Sequence, residues 1–170
     1  MNLLRDNLPA IAVVFPMVSA LLVSLFGRKG RAWALTTIVT TVVFVLVAWL
    51  GVLVLASPGQ VISYHLGGWE PQLVPGVGKV PVGIEYRVDC LNALVLLIVA
   101  GIGAVVTPFA RLSVAKEIPK DRLHFFYAVY LLCLTGLMGI AITGDAFNVY
   151  VLLEISSLTA YALVAMGKEF

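Results

Sequence analysis

Five long apolar stretches decide what this chain can fold into. They run Leu8–Phe26, Ala32–Ala56, Leu91–Ala110, Phe125–Thr143 and Ala146–Met166. Each supplies the ~17–25 residues a helix needs to cross a hydrocarbon core of ~30 Å. The second, third and fourth contain no Asp, Glu, Lys or Arg. Lipid offers the backbone no hydrogen-bond partners, so a spanning segment must satisfy its own N–H and C=O groups, and open strands cannot. The expectation is an all-α membrane protein of about five transmembrane helices, in one membrane domain covering residues 1–170. Composition agrees, with 61% hydrophobic residues and 12% charged, about half the charge of an ordinary soluble domain.

The connectors predict the orientation. Arg28, Lys29 and Arg31 follow the first stretch, Arg111, Lys116, Lys120 and Arg122 follow the third, and Lys168 follows the fifth. The long second connector holds only Lys79 and Arg87, and the fourth holds no basic residue. Positive charge stays on the cytoplasmic side, which puts the N-terminus outside and the C-terminus in the cytoplasm. The chain is expected to be a multi-pass protein of the plasma membrane. A cleaved signal peptide carries its positive charges before a shorter apolar run, so the first stretch reads as a retained helix.

The second connector, residues 57–90, is rich in Gly and Pro. Near its end Ile84, Tyr86 and Val88 alternate with Glu85, Arg87 and Asp89, the period of a strand with one covered face. Val61–Leu66 offers a partner, so a short external β-hairpin between the second and third helices is expected.

Glu154 is the sharpest chemical signal. It lies eight residues into the fifth stretch, ~12 Å along a helix and so near the bilayer midplane. A charge there costs ~3 kcal/mol or more, and such residues usually line a bundle interior or a water-filled path. A carboxyl group in that setting can take up and release a proton or hold a cation. Tyr150, Ser157 and Tyr161 stand four residues before, three after and seven after Glu154, which places them on its helical face. They form an expected inward polar stripe. The competing reading of Glu154 is a protonated structural acid, and of the serines, small residues that let helices approach closely.

The other polar residues read more simply. Asp89 and Asp145 precede helices and suit N-caps. Thr36, Thr37, Thr40 and Thr41 suit packing and bonds to the preceding turn. Pro16 is expected to kink the first helix, and Pro108 lies near the end of the third. His124 opens the fourth helix at the membrane surface. A proton relay is open to it, as is a plain interfacial position. Cys90 and Cys133 fit neither a disulfide framework nor metal spacing, and His65 is far from His124 in the sequence. The net charge of +2 does not suggest a nucleic-acid partner. The sequence carries no phosphate loop, nucleophile elbow, haem or zinc spacing, or dinucleotide fingerprint. No metal, cofactor, redox centre or hydrolytic site is therefore expected in this chain.

The run from Thr143 through Gly144, Asp145, Asn148, Tyr150, Glu154, Ser156, Ser157 and Tyr161 to Ala165 strongly resembles the antiporter-like membrane subunits. This family takes in the D-type subunit of Mrp-type sodium/proton antiporters and the proton-pumping subunits of NADH–quinone oxidoreductase (complex I) and membrane-bound hydrogenases. Within it the sequence looks closest to the Mrp D type. Gly67-Gly68-Trp69 and Gly83–Asp89 match the family's external hairpin, and Gly167-Lys168-Glu169 its exit from the fifth helix. The resemblance implies that Glu154 is the fifth-helix glutamate used in proton translocation, paired in the family with a lysine on the seventh helix.

Two departures stand out. Glu70–Val82 is longer than the family's usual hairpin, and the sequence stops after the fifth helix of a family that runs to about fourteen. On that reading it is an N-terminal piece, whether a natural split subunit, a truncation or a remnant. The resemblance implies a membrane subunit of a cation/proton antiporter complex that contributes part of a proton or Na+ path. The partners implied are other membrane subunits, including a chain that supplies the missing helices. The alternatives are a subunit of a proton-pumping NADH–quinone oxidoreductase or hydrogenase, and a non-conducting fragment.

Overall fold

The computed structural model describes residues 3–27, 30–56, 59, 61–76, 78–80 and 82–167. Arg28, Lys29, Lys168 and Glu169, used above for orientation and for the helix exit, lie outside the described residues.

After a short turn, α1 (Leu3–Asp6), five long helices follow: α2 (Leu8–Phe26), α3 (Ala32–Leu55), α4 (Cys90–Glu117), α5 (Leu123–Ile142) and α6 (Ala146–Ala165). All five are long and apolar enough to cross a membrane. The chain is a multi-pass membrane protein, and the helical expectation holds.

Helix α5 forms the centre, touching α2, α3, α4 and α6, while α3 lies between α2 and α4. Half of the apolar stretch of α5 is buried by the rest of the chain (50%), against 17% for α6. The core runs between the helices through Leu8, Val43, Leu50, Leu96, Leu131 and Met138.

The expected strand pairing is present. β1 (Ile62–His65) and β4 (Glu85–Val88) are antiparallel, with Ile62 opposite Val88 and Tyr64 opposite Tyr86. Tyr86 and Val88 are buried, as their period-two alternation requires. The segment between them is not a simple loop. β2 (Gln72–Val74) and β3 (Gly78–Val80) pair as a separate hairpin. Gly76, at φ 83°, takes the left-handed conformation that its turn needs. The extra length of the connector thus forms its own hairpin, separate from the β1–β4 pair.

The strands brace the helix ends. The Gly144 N–H donates to the Glu85 carbonyl at 2.9 Å, and Tyr86 bridges to Thr143. The Tyr64 hydroxyl bonds the Asn7 side chain at 2.7 Å, tying β1 to the start of α2. A Cβ on Gly144 would lie 2.9 Å from Arg87 Cβ, which cannot swing away as the tip of a long side chain could. Gly144→Val is expected to destabilise the fold by about 1–3 kcal/mol, read as a lower unfolding midpoint in detergent. An unchanged midpoint would mean that the strands do not brace the α5–α6 turn.

Both expected caps form. Asp89 accepts from the Asn92 N–H at 2.9 Å, while Asn92 accepts from the Asp89 N–H at 3.2 Å, a reciprocal capping box. Asp145 accepts from Phe147 N–H at 3.0 Å and Asn148 N–H at 3.3 Å. The threonines divide. Thr37, Thr40 and Thr41 donate to carbonyls three or four residues back, whereas the buried Thr36 hydroxyl has no partner among the described residues.

Helix α4 departs from expectation. It continues past Pro108 to Glu117 instead of stopping near Ala110. Proline removes one backbone N–H and crowds the carbonyl four residues earlier. Beside it the Trp33 indole N–H donates to the Thr107 carbonyl at 3.0 Å, and the Thr107 hydroxyl donates to the Gly103 carbonyl at 2.6 Å. These bonds support the helix at its weakest turn. With 28 residues, α4 is ~42 Å long and outreaches a ~30 Å core, carrying Arg111, Lys116 and Glu117 toward water.

Candidate functional site

Helix α6 has two unlike faces. Asn148, Leu152 and Ser156 are buried against the rest of the chain. Phe147, Tyr150, Leu158, Tyr161 and Val164 are 62–82% exposed, and Glu154 is exposed among them.

Two glycines of α5 allow the inner face its close approach. A Cβ on Gly136 would lie 2.8 Å from the Ser156 backbone nitrogen, and one on Gly139 would lie 2.6 Å from Leu152 Cδ2. Small residues at such crossings let helices meet backbone to backbone. At the strand end, Asn148 Nδ2 donates to the Thr143 hydroxyl at 2.9 Å. Burial pushes the ionisation of Tyr86 above the usual tyrosine range, and the nearby Asn148 amide offsets this in part.

Tyr150, Glu154, Ser157 and Tyr161 do share one face, as their spacing requires. That face is not inward in this chain. Tyr150 is 65% exposed and Tyr161 73%, and Ser157, half-buried, spends its hydroxyl on the Leu153 carbonyl at 2.8 Å. Among the described residues nothing hydrogen-bonds or pairs with the Glu154 carboxylate. The reason lies in α5: its glycine pair takes the opposite face of α6 and turns the polar stripe away from the bundle.

His124 is buried, 8% exposed, in the first turn of α5, and its ring lies 4.1 Å from that of Phe125. The α5–α6 contacts set Glu154 level with about residue 137 of α5, so His124 stands ~20 Å away along the helix axis. That is too far for a direct proton transfer. His124 instead joins Trp33, Arg111, Lys120 and Tyr127 around a cavity of about 170 Å³ at the end of the bundle away from the strands.

Two features have little or no signature in the sequence. The Gly136–Gly139 pair sits in an apolar run where glycine carries no charge or periodicity signal. Asn148 reads as an ordinary helix-start residue, although an amide one turn into a span has to find partners. For the Trp33–Arg111 stack, with Arg111 Cζ 4.5 Å from the ring centroid, a signal does exist: an aromatic and a cation, each at a predicted membrane boundary.

No family model matches the chain. The N subunit of NADH-quinone oxidoreductase from Desulforudis audaxviator is 35% identical over 165 residues, covering 95% of this chain. The D-type subunit of the Na(+)/H(+) antiporter from Bacillus subtilis is 25% identical over 162 residues and likewise covers 95%. The chain spans 30% of the length of each of these relatives. Among solved structures, the membrane-bound sulfane sulfur reductase, an archaeal respiratory membrane complex, contains a chain that superposes with a TM-score of 0.77 at 28% identity, over 92% of this chain and 30% of that one. Over nearly its whole length, then, the chain is homologous to the antiporter-like membrane subunits, of which the oxidoreductase N type and the antiporter D type are both representatives.

Proposed function

We propose that this chain contributes part of a proton or cation path to a multisubunit membrane complex of the cation/proton antiporter type, with Glu154 as the group that carries the ion. One observation supports this above the rest: a carboxylate at bilayer depth, on a helix face that nothing among the described residues covers. Left against lipid, such a charge costs ~3 kcal/mol or more. A further transmembrane segment bearing a cation or hydroxyls would lower that cost and enclose a polar path with Tyr150, Ser157 and Tyr161. The homology to the antiporter D type supports the antiporter reading, with protons and Na+ as the ions moved. The loop charges support a cytoplasmic-membrane location with the strands outside.

A second reading has its own support. Identity is higher with the oxidoreductase N type (35%) than with the antiporter D type (25%), and the matched sulfane sulfur reductase is a respiratory complex. Here electron transfer in other subunits would drive the same carboxylate.

Affinity purification of the tagged chain from its native membrane, followed by identification of co-purifying chains, tests both. Recovery with other antiporter subunits is expected. Recovery with flavin or iron–sulfur subunits would transfer the assignment to the redox-driven complex, and recovery with no membrane partner would overturn both.

A further inference from the structure

The cavity at the end of the bundle away from the strands is distinct from the α6 face. It forms where the end of α2 at Gly27, the first turn of α3 at Trp33, the extended part of α4 at Arg111 and the start of α5 at His124 and Tyr127 converge, with Lys120 from the α4–α5 connector. Two cations and a histidine line it, and among the described residues no carboxylate does. Arg111 stands ~32 Å along α4 from Cys90, at the edge of a ~30 Å core.

From these features we propose that the cavity binds a phosphate-class anion at the membrane boundary, of the kind an anionic phospholipid headgroup presents. Cations that only set topology need no fixed geometry and extend freely into water. These are held. The Arg111 guanidinium stacks on the Trp33 ring at 4.5 Å, and that ring is locked by its N–H bond to the Thr107 carbonyl at 3.0 Å. Stacking occupies the guanidinium plane and leaves its edge N–H groups to donate, the geometry that suits phosphate oxygens. The His124 side chain is buried and lines the cavity. An imidazole N–H can donate to an anion there. A basic pocket between helices at the boundary matches a charged headgroup.

The test is native mass spectrometry of the detergent-solubilised complex that contains this chain, titrated separately with phosphatidylglycerol, phosphatidylcholine and inorganic phosphate. Phosphatidylglycerol is expected to bind in preference to phosphatidylcholine. Lys120→Gln, on the exposed connector, should weaken it about five-fold, and adding Arg111→Gln about twenty-five-fold in all. Arg111→Lys keeps the charge but loses the stacked plane, and should fall between wild type and Arg111→Gln. Competition by inorganic phosphate would uphold the anion site and identify its source as soluble. Equal binding of the two lipids, or affinities untouched by Lys120→Gln and Arg111→Lys, would overturn the proposal.

Discussion

Glu154→Gln is expected to lower proton-coupled transport by the assembled complex on the order of 100-fold, the scale lost when a positioned proton carrier is removed. The amide matches the carboxyl in size and still forms hydrogen bonds, but it neither binds nor releases a proton. The fold of this chain should be unaffected, because the carboxylate makes no hydrogen bond or ion pair among the described residues that the substitution would break. Glu154→Asp should retain part of the activity, since it keeps the carboxyl and withdraws it by one methylene. Transport is measured in vesicles by the quenching of a pH-sensitive dye after a cation pulse, or after substrate oxidation if the complex is redox-driven. Wild-type rates in Glu154→Gln would reduce Glu154 to a structural acid.

The second large effect concerns how α6 is held. Gly136→Ala and Gly139→Ala each add one methyl at the α5–α6 crossing, yet they meet different obstacles. At Gly136 the obstacle is the Ser156 backbone, 2.8 Å away, and at Gly139 it is the Leu152 side chain, 2.6 Å away. Overpacking of this kind costs about 1–3 kcal/mol. Leu152→Ala should cost less in Gly139→Ala than in the wild type, because it removes the obstructing atoms. No side-chain change at Ser156 should recover Gly136→Ala, because backbone cannot be trimmed. Gly136→Leu should push α6 off the bundle, seen as failure of the chain to accumulate in the membrane. Unfolding midpoints of the single and double variants decide this. Equal rescue at both positions would mean that the helices lie further apart than the contacts require.

How much of this is legible in the sequence depends on which physical term dominates each feature. The helices are, because ~20 apolar residues in lipid have few other ways to satisfy their backbone. The end of α4 is not. Pro108 suggests a stop, but the Trp33–Thr107 bond joins groups 74 residues apart, and no local pattern announces it. The strand pair is legible in the alternation of Ile84, Tyr86 and Val88. The β2–β3 hairpin is not, since β2 is exposed along its length and lacks a buried face to impose a period.

The stripe on α6 divides the same way. That Tyr150, Glu154, Ser157 and Tyr161 share a face follows from helical geometry alone. Which way that face points is a tertiary question, answered by two glycines on another helix. A sequence cannot say that a polar stripe is inward until it is known which side its neighbour occupies. The homologues add the physical context: the chain matches 30% of their length, so a face uncovered here has further segments available to cover it in proteins of that size.

The most direct test is the chemical environment of that face in the assembled complex. Cysteine is introduced at Ser157, one turn from Glu154, after Cys90 and Cys133 are replaced by alanine. The membranes are then treated with a small, charged, membrane-impermeant methanethiosulfonate, which needs water and a thiolate to react. The account predicts that Ser157→Cys reacts with the charged reagent, because the α6 face lines a hydrated path closed by another segment. Labelling only after the membranes are denatured in detergent would mean that water does not reach the face, and would contradict it.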